Sequence, residues 1–210
     1  MRRRRQHSSG IAIIEFTLSL TFLIPLLLGT LVFGFRLIRS LEMQQIVRDL
    51  GHMYVRGVDF RLSGPAANAQ TLATGYDLSA TGTSVIVFSQ IKVVSQADCD
   101  AANPTFPAGT HCTNLNKPVF TEQYTVGNSS LTINGTAARS GFGTPPTQTD
   151  HSVTTVNQAN NGTAVANGFG SVIALQTGEY AYLVEMFNAT AELNIPGLSG
   201  SPQVYARSVF

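Results

Sequence analysis

Few residues of this chain have the types and spacing that chemistry requires. Asp150-His151-Ser152 contains the three residue types of a hydrolase triad. Triad members converge from separate elements, however, and neighbours in sequence rarely meet in that geometry. Glu185 and Glu192 are two carboxylates on or near one strand that could divide acid and base roles. Nothing around them specifies a pocket, and exposed strand faces carry such residues routinely. Tyr180, Tyr182, Phe187 and Tyr205 offer rings for stacking on a sugar, or for packing between a sheet and a helix. Cys99 and Cys112 bracket the turn residues Asn103-Pro104 and Pro107-Ala108-Gly109. Outside the cytoplasm such a pair reads as a disulfide, which stabilises by roughly 3 kcal/mol for a loop of this size. A redox or metal pair would want C-x-x-C spacing or further ligands, and only His111 is adjacent. No cofactor and no metal site is expected.

One further acid stands apart. Ile11 to Phe35 reads IAIIEFTLSLTFLIPLLLGTLVFGF, 25 residues with a single ionisable group, Glu15. At 1.5 Å per residue this run crosses a hydrocarbon core of about 30 Å with some tilt. A carboxylate inside it costs a few kcal/mol. Glu15 either snorkels to the interface or meets a positive partner. Cleavage after Gly10 would create such a partner, an ammonium on Ile11 able to pair with Glu15 of a neighbouring copy or of another subunit. The same cut would remove Arg2–Arg5.

The elements that must position these residues follow from composition. The chain has 210 residues, 43% hydrophobic but only 12% charged. Its basic excess is confined to residues 1–60, where eight arginines face four carboxylates; beyond residue 60 acids outnumber bases. A basic surface able to track phosphates is excluded, so no nucleic acid is expected as a partner. Arg2–Arg5 on the short N-terminal side place that side in the cytoplasm, with the remainder outside. A cleaved secretory signal would have a shorter apolar region ending at a small-x-small site. Here the helical register instead continues through Met43, Ile46, Val47, Leu50 and Tyr54, one face of a 3.6-residue period. One helix is therefore expected from about Ile11 to Arg56, bent at Pro25, with Gly29, Gly34 and Gly51 lowering its rigidity.

After the arginine-rich leader, Gly10, then IAII, then Glu15-Phe16 resembles the prepilin motif: Gly, four apolar residues, Glu, aromatic. The whole stretch RRRR…GIAIIEFTLSLTFLIPLLLGTLVFGFRLI is similar to TadE-like minor pilins of the Tad/Flp, type IVc, pilus. The Glu-Phe pair, the mid-membrane Pro25 and the Gly-Phe-Arg exit carry the likeness, together with a closing YARSVF. Thr21 departs from it where a proline is common. The resemblance implies a prepilin peptidase cutting between Gly10 and Ile11, and Glu15 with Phe16 guiding subunit docking in the membrane. The partners implied are that peptidase, the inner membrane, and other pilin and assembly subunits. The aspartyl chemistry would belong to the peptidase, so this chain is a substrate and not an enzyme, and no small-molecule substrate is expected.

The fold class expected is α+β and pilin-like. Residues 1–10 form a leader, 11–35 a transmembrane helix, 36–57 its extension, and 58–210 a β-rich extracytoplasmic head. Thr83–Val94, apolar on both faces, reads as a central strand. Val119–Val126 and Leu131–Asn134 flank Gly127-Asn128-Ser129-Ser130 and read as a hairpin. Tyr180–Leu193 and Val204–Phe210 complete the sheet. Residues 135–178, rich in Gly, Thr and Asn without a sustained period, read as a long surface loop or a disordered segment. The sequons at Asn128, Asn134, Asn161 and Asn188 follow from that composition. The function expected is structural, with an unprocessed anchored adhesive or carbohydrate-binding module as the alternative.

Overall fold

A computed structural model describes residues 8–133, 135–189 and 203–210, with side chains from residue 12 onward. The chain divides into two compact units, Met1–Arg39 and Ser40–Phe210. Helix α1 runs without a break over Ser8–Val55 and includes Pro25.

In the first unit the apolar side chains of α1 face outward: Ile14, Phe16, Phe22, Leu26 and Phe33 are all more than half exposed. No other described residue covers this apolar surface, and its length and composition are those of a membrane span. α1 is long and apolar enough to span a membrane. Its three threonine hydroxyls are satisfied within the helix. Thr17 Oγ1 donates to the Ile13 carbonyl, Thr21 Oγ1 to that of Thr17 and Thr30 Oγ1 to that of Leu27, each at 2.8 Å. In hydrocarbon an unpaired hydroxyl would be costly, and this back-bonding removes the penalty.

In the second unit the stripe anticipated from periodicity is buried. Met43, Val47 and Leu50 are fully covered, and Ile46 and Tyr54 nearly so. They pack on one face of a four-stranded antiparallel sheet of order β2-β1-β5-β6, where β1 is Ser84–Val93, β2 Pro118–Gly127, β5 Tyr180–Ala189 and β6 Gln203–Val209. Side chains alternate across a strand, so Ile86 and Phe88 of β1, Tyr124 of β2, and Val184 and Met186 of β5 meet the helix. The other face carries Ile91, Phe120, Ala181 and Leu183. β1 is inner and covered on both faces, which is why its sequence is apolar at successive positions rather than alternate ones.

Two expectations are corrected. The hairpin joining Val119–Val126 to Leu131–Asn134 does not form. The whole of β2 pairs with β1, while β3 (Thr132–Ile133) pairs with β4 (Thr136–Ala137). Asn128 explains the departure: its backbone N–H donates to Ser84 O and its Nδ2 to Gly82 O, so the turn after β2 is tied to the start of β1. The chain then crosses the sheet, and Leu131 and Ile133 pack on Val85.

Residues 135–178 are not a plain surface loop. They hold β4, helix α4 (Thr155–Asn160) and two 3₁₀ turns, Gly162–Ala164 and Phe169–Ser171. Phe142, Val153, Ala164 and Phe169 from this segment are buried against Ile91, Phe120 and Leu183. The buried residues lie in separate turns, so no period links them. Their backbone groups are satisfied at the free edge of β2: Val153 N–H donates to Thr121 O, His151 O accepts from Gln123 N–H, and Ala166 N–H donates to Pro118 O.

Cys99 and Cys112 are joined in a disulfide. Cys99 sits in α3 (Gln96–Ala102), which opens on a capping box of Ser95 and Asp98, and Lys92 Nζ lies 2.7 Å from Asp98 Oδ1. Helix α2 (Ser63–Leu72) places Ala69 in the core beneath α1.

Candidate functional site

None of the three sets of residues singled out from the sequence forms a site among the described residues. Ser152 Oγ lies 2.7 Å from Asp150 Oδ1 and 3.0 Å from Gln148 Oε1, so the hydroxyl bonds directly to the acid that a triad would place behind the histidine. His151 has a positive φ of 67° and turns its ring toward Tyr124, 6.1 Å away. The trio is a turn. Hydrogen bonds from Ser152 hold the Asp150 carboxyl below the usual range.

Glu185 is fully buried on the face opposite the helix, accepting from Tyr205 Oη at 2.6 Å and Gly141 N–H at 3.0 Å. Burial and the neighbouring Glu185 carboxylate push the Tyr205 hydroxyl up. Glu192 lies outside the described residues, so the pairing of these acids has no geometry. The four aromatics are split between faces. Tyr182 joins the helix-side core, whereas Phe187 meets Tyr205 at 4.9 Å, and they sit opposite each other on β5 and β6. Alternation along β5 requires this separation, since 182 and 187 differ by an odd number.

The processing and docking residues lie on α1. Gly10 and Ile11 belong to its first turns, the side chain of Ile11 lying outside those described. Glu15 and Phe16 follow on its exposed surface. The leader residues 1–7 are also outside the described residues.

The structure brings together one constellation that the residue patterns did not suggest. α1 ends at Val55, short of the end of the sheet, and leaves a cleft of about 200 Å³ lined by Tyr54, Asp59, Arg61, Gln90, Glu122, Tyr124 and Tyr182, with Gly57 and Val58 at its side. Glu122, Gln90 and Tyr182 form one row across β2, β1 and β5, since Gln90 pairs with both Glu122 and Tyr182. The register slips between Gln90 and Ile91, leaving Thr121 as the extra residue of a bulge. Its hydroxyl donates to Gln90 Oε1 at 2.8 Å and fixes the amide.

The floor of the cleft is aromatic. Tyr54 meets Tyr182 at 5.2 Å and Tyr124 at 6.0 Å, both edge to face. Arg61 closes one side. Its Nε and Nη2 bond Asp59 Oδ1 and Oδ2 at 2.8 and 2.9 Å, and its Nη1 reaches Glu122 at 3.0 Å and Asp150 O at 2.6 Å. Its guanidinium also lies 5.5 Å from the Tyr124 ring centre.

Electrostatics follow from these contacts. The hydrogen bond from Arg61 holds the Asp59 carboxyl below its usual range, and Asp59 holds the Arg61 guanidinium in its charged form. Burial lifts Glu122 above the usual carboxylate range against the lowering effect of Arg61. Burial also pushes the Tyr54 hydroxyl up, and that hydroxyl has no hydrogen-bond partner among the described residues. A sequence signal did exist: Asp59-x-Arg61 is a local ion pair, and Glu122 and Tyr124 share a strand face. Nothing in their spacing revealed that a helix would stop beside them.

Among the described residues no group of His, Cys, Asp and Glu could hold a metal ion. No family model, no curated protein and no solved structure matches this chain.

Proposed function

We propose that the protein is a minor pilin or pseudopilin of a Tad-type pilus, inserted in the bacterial inner membrane and processed after Gly10. The observation that carries this reading is the first unit of α1. An uncovered apolar helix, long enough to span a membrane, carries one carboxylate, Glu15, five residues beyond Gly10.

A prepilin peptidase would hydrolyse the Gly10–Ile11 peptide bond, water supplying the hydroxyl of the new carboxylate and a proton of the new amine. The leader with Arg2–Arg5 is then released, and Ile11 bears an ammonium. In hydrocarbon an isolated carboxylate and an isolated ammonium are each expensive. Docking two copies, or this chain with another pilin, so that Ile11 of one faces Glu15 of the next removes both penalties at once. Phe16 and the leucines around it supply packing area for the same contact. The head, residues 58–210, faces outward.

The proposal is tested by incorporation. Glu15→Ala should be inserted and cleaved normally but should fail to co-purify with assembled pilus subunits, whereas Glu15→Asp should retain part of the association. Equal incorporation of Glu15→Ala and wild type would contradict it. The second reading, an unprocessed anchored adhesive head, is favoured by the cleft beside Arg61.

A further inference from the structure

We infer that the cleft at the open end of the sheet is a binding site for a single neutral sugar ring, the terminal residue of a surface glycan. Its size sets the first limit. About 200 Å³ is below the roughly 300–1,000 Å³ of sites for drug-sized ligands, so one ring enters and the rest of a chain stays outside.

Its charge sets the second. Arg61 is spent on Asp59, Glu122 and the Asp150 carbonyl, so an anion would find the one cation among the described lining residues engaged and two carboxylates beside it. A cation would meet Arg61 already occupying the face of Tyr124. A neutral ligand avoids both conflicts.

The remaining groups suit a ring bearing hydroxyls. Tyr182, half-buried, presents an aromatic surface against which the apolar face of a pyranose can lie. Glu122 accepts a charge-assisted bond from a sugar hydroxyl. Gln90, whose Oε1 is taken by Thr121, has its amide N–H groups left to donate. The Tyr54 hydroxyl, buried and without a partner among the described residues, lines the floor. Donors, an acceptor and a ring thus converge from α1, β1, β2 and β5, all within the second unit. The inference does not depend on leader cleavage.

The test uses the full chain held in an amphipathic polymer free of sugar head groups. The probes are glucose, galactose and N-acetylglucosamine, each titrated to about 50 mM, since a single ring is expected to bind near the millimolar range. Saturation-transfer NMR reads binding. Tyrosine emission gives a second readout, because the chain has no Trp and three of its six Tyr line the cleft. At least one sugar should bind saturably, and Tyr182→Ala and Gln90→Ala should weaken it about tenfold or more, Gln90→Ala with the melting midpoint retained. Should Tyr182→Ala not fold, Gln90→Ala and Glu122→Gln decide the matter. No transfer to any sugar, binding unchanged in these variants, or saturable binding of tetramethylammonium in place of sugars would each overturn the inference.

Discussion

At the scale of single residues, a few backbone and charge positions hold the head together. Gly127 has φ of +102°, and a Cβ there would sit 2.6 Å from the Ser84 carbonyl oxygen, the acceptor that anchors the turn after β2. Gly127→Ala should therefore cost about 2–3 kcal/mol, checked by denaturant melts of the full chain. Gly51 has a different reason for its lack of side chain: the Phe210 ring lies against it and meets the His52 ring at a tilt, 4.7 Å between centres. Sequence reading gave Gly51 to helix flexibility because the chain terminus that packs on it is far away in sequence.

Glu122 and Asp59 bear opposite consequences for pH. Asp59 has a lowered folded pKa, so the stability it contributes is present at neutral pH and lost as pH falls through that value. Glu122 has a raised one, so its contribution is complete in acid and lost as pH rises through its folded pKa. Glu122→Gln removes only the second effect. The melting midpoint of that variant relative to wild type should rise between about pH 3 and pH 7. A relative midpoint that falls over this range would show that the Arg61 bridge outweighs burial.

At the scale of elements, legibility tracked whether a pattern was local. The buried stripe of α1 was legible because its period is intrinsic to the helix, and Leu50 is fully covered where the stripe placed it. Leu50→Ala should cost about 3 kcal/mol of head stability, whereas Leu41→Ala, at a position 59% exposed, should leave the melt of the head unchanged. β1 was legible as a central strand because two-faced burial writes itself as a continuous apolar run. The false hairpin arose because Gly127-Asn128 signals a turn without saying which strand follows it, and the side-chain bond from Asn128 to Gly82 is invisible in the pattern. Residues 135–178 were illegible for a related reason: Phe142, Val153 and Phe169 each enter the core from a separate turn. The disulfide was legible from spacing and turn residues. Reducing it should destabilise the head by about 3 kcal/mol, read as a fall in denaturation midpoint under thiol.

At the scale of the whole molecule, the two compact units divide the work. Among the described residues the first exposes nearly every apolar side chain it carries, so under the proposed reading lipid and neighbouring helices would cover it. The second closes both faces of a sheet and keeps a polar cleft where α1 stops. A helix long and apolar enough to span a membrane was legible in the sequence, since length and hydropathy suffice to define it. The cleft was not, because its residues come from four elements and meet only through register and helix length. The central claim, processing between Gly10 and Ile11, is tested most directly by the N-terminal residue of protein extracted from native membranes, determined by intact mass and terminal sequencing. A mature chain beginning at Ile11 is the expected result. A chain beginning at Met1 or Arg2 would contradict it and leave an anchored α+β head without a processed helix.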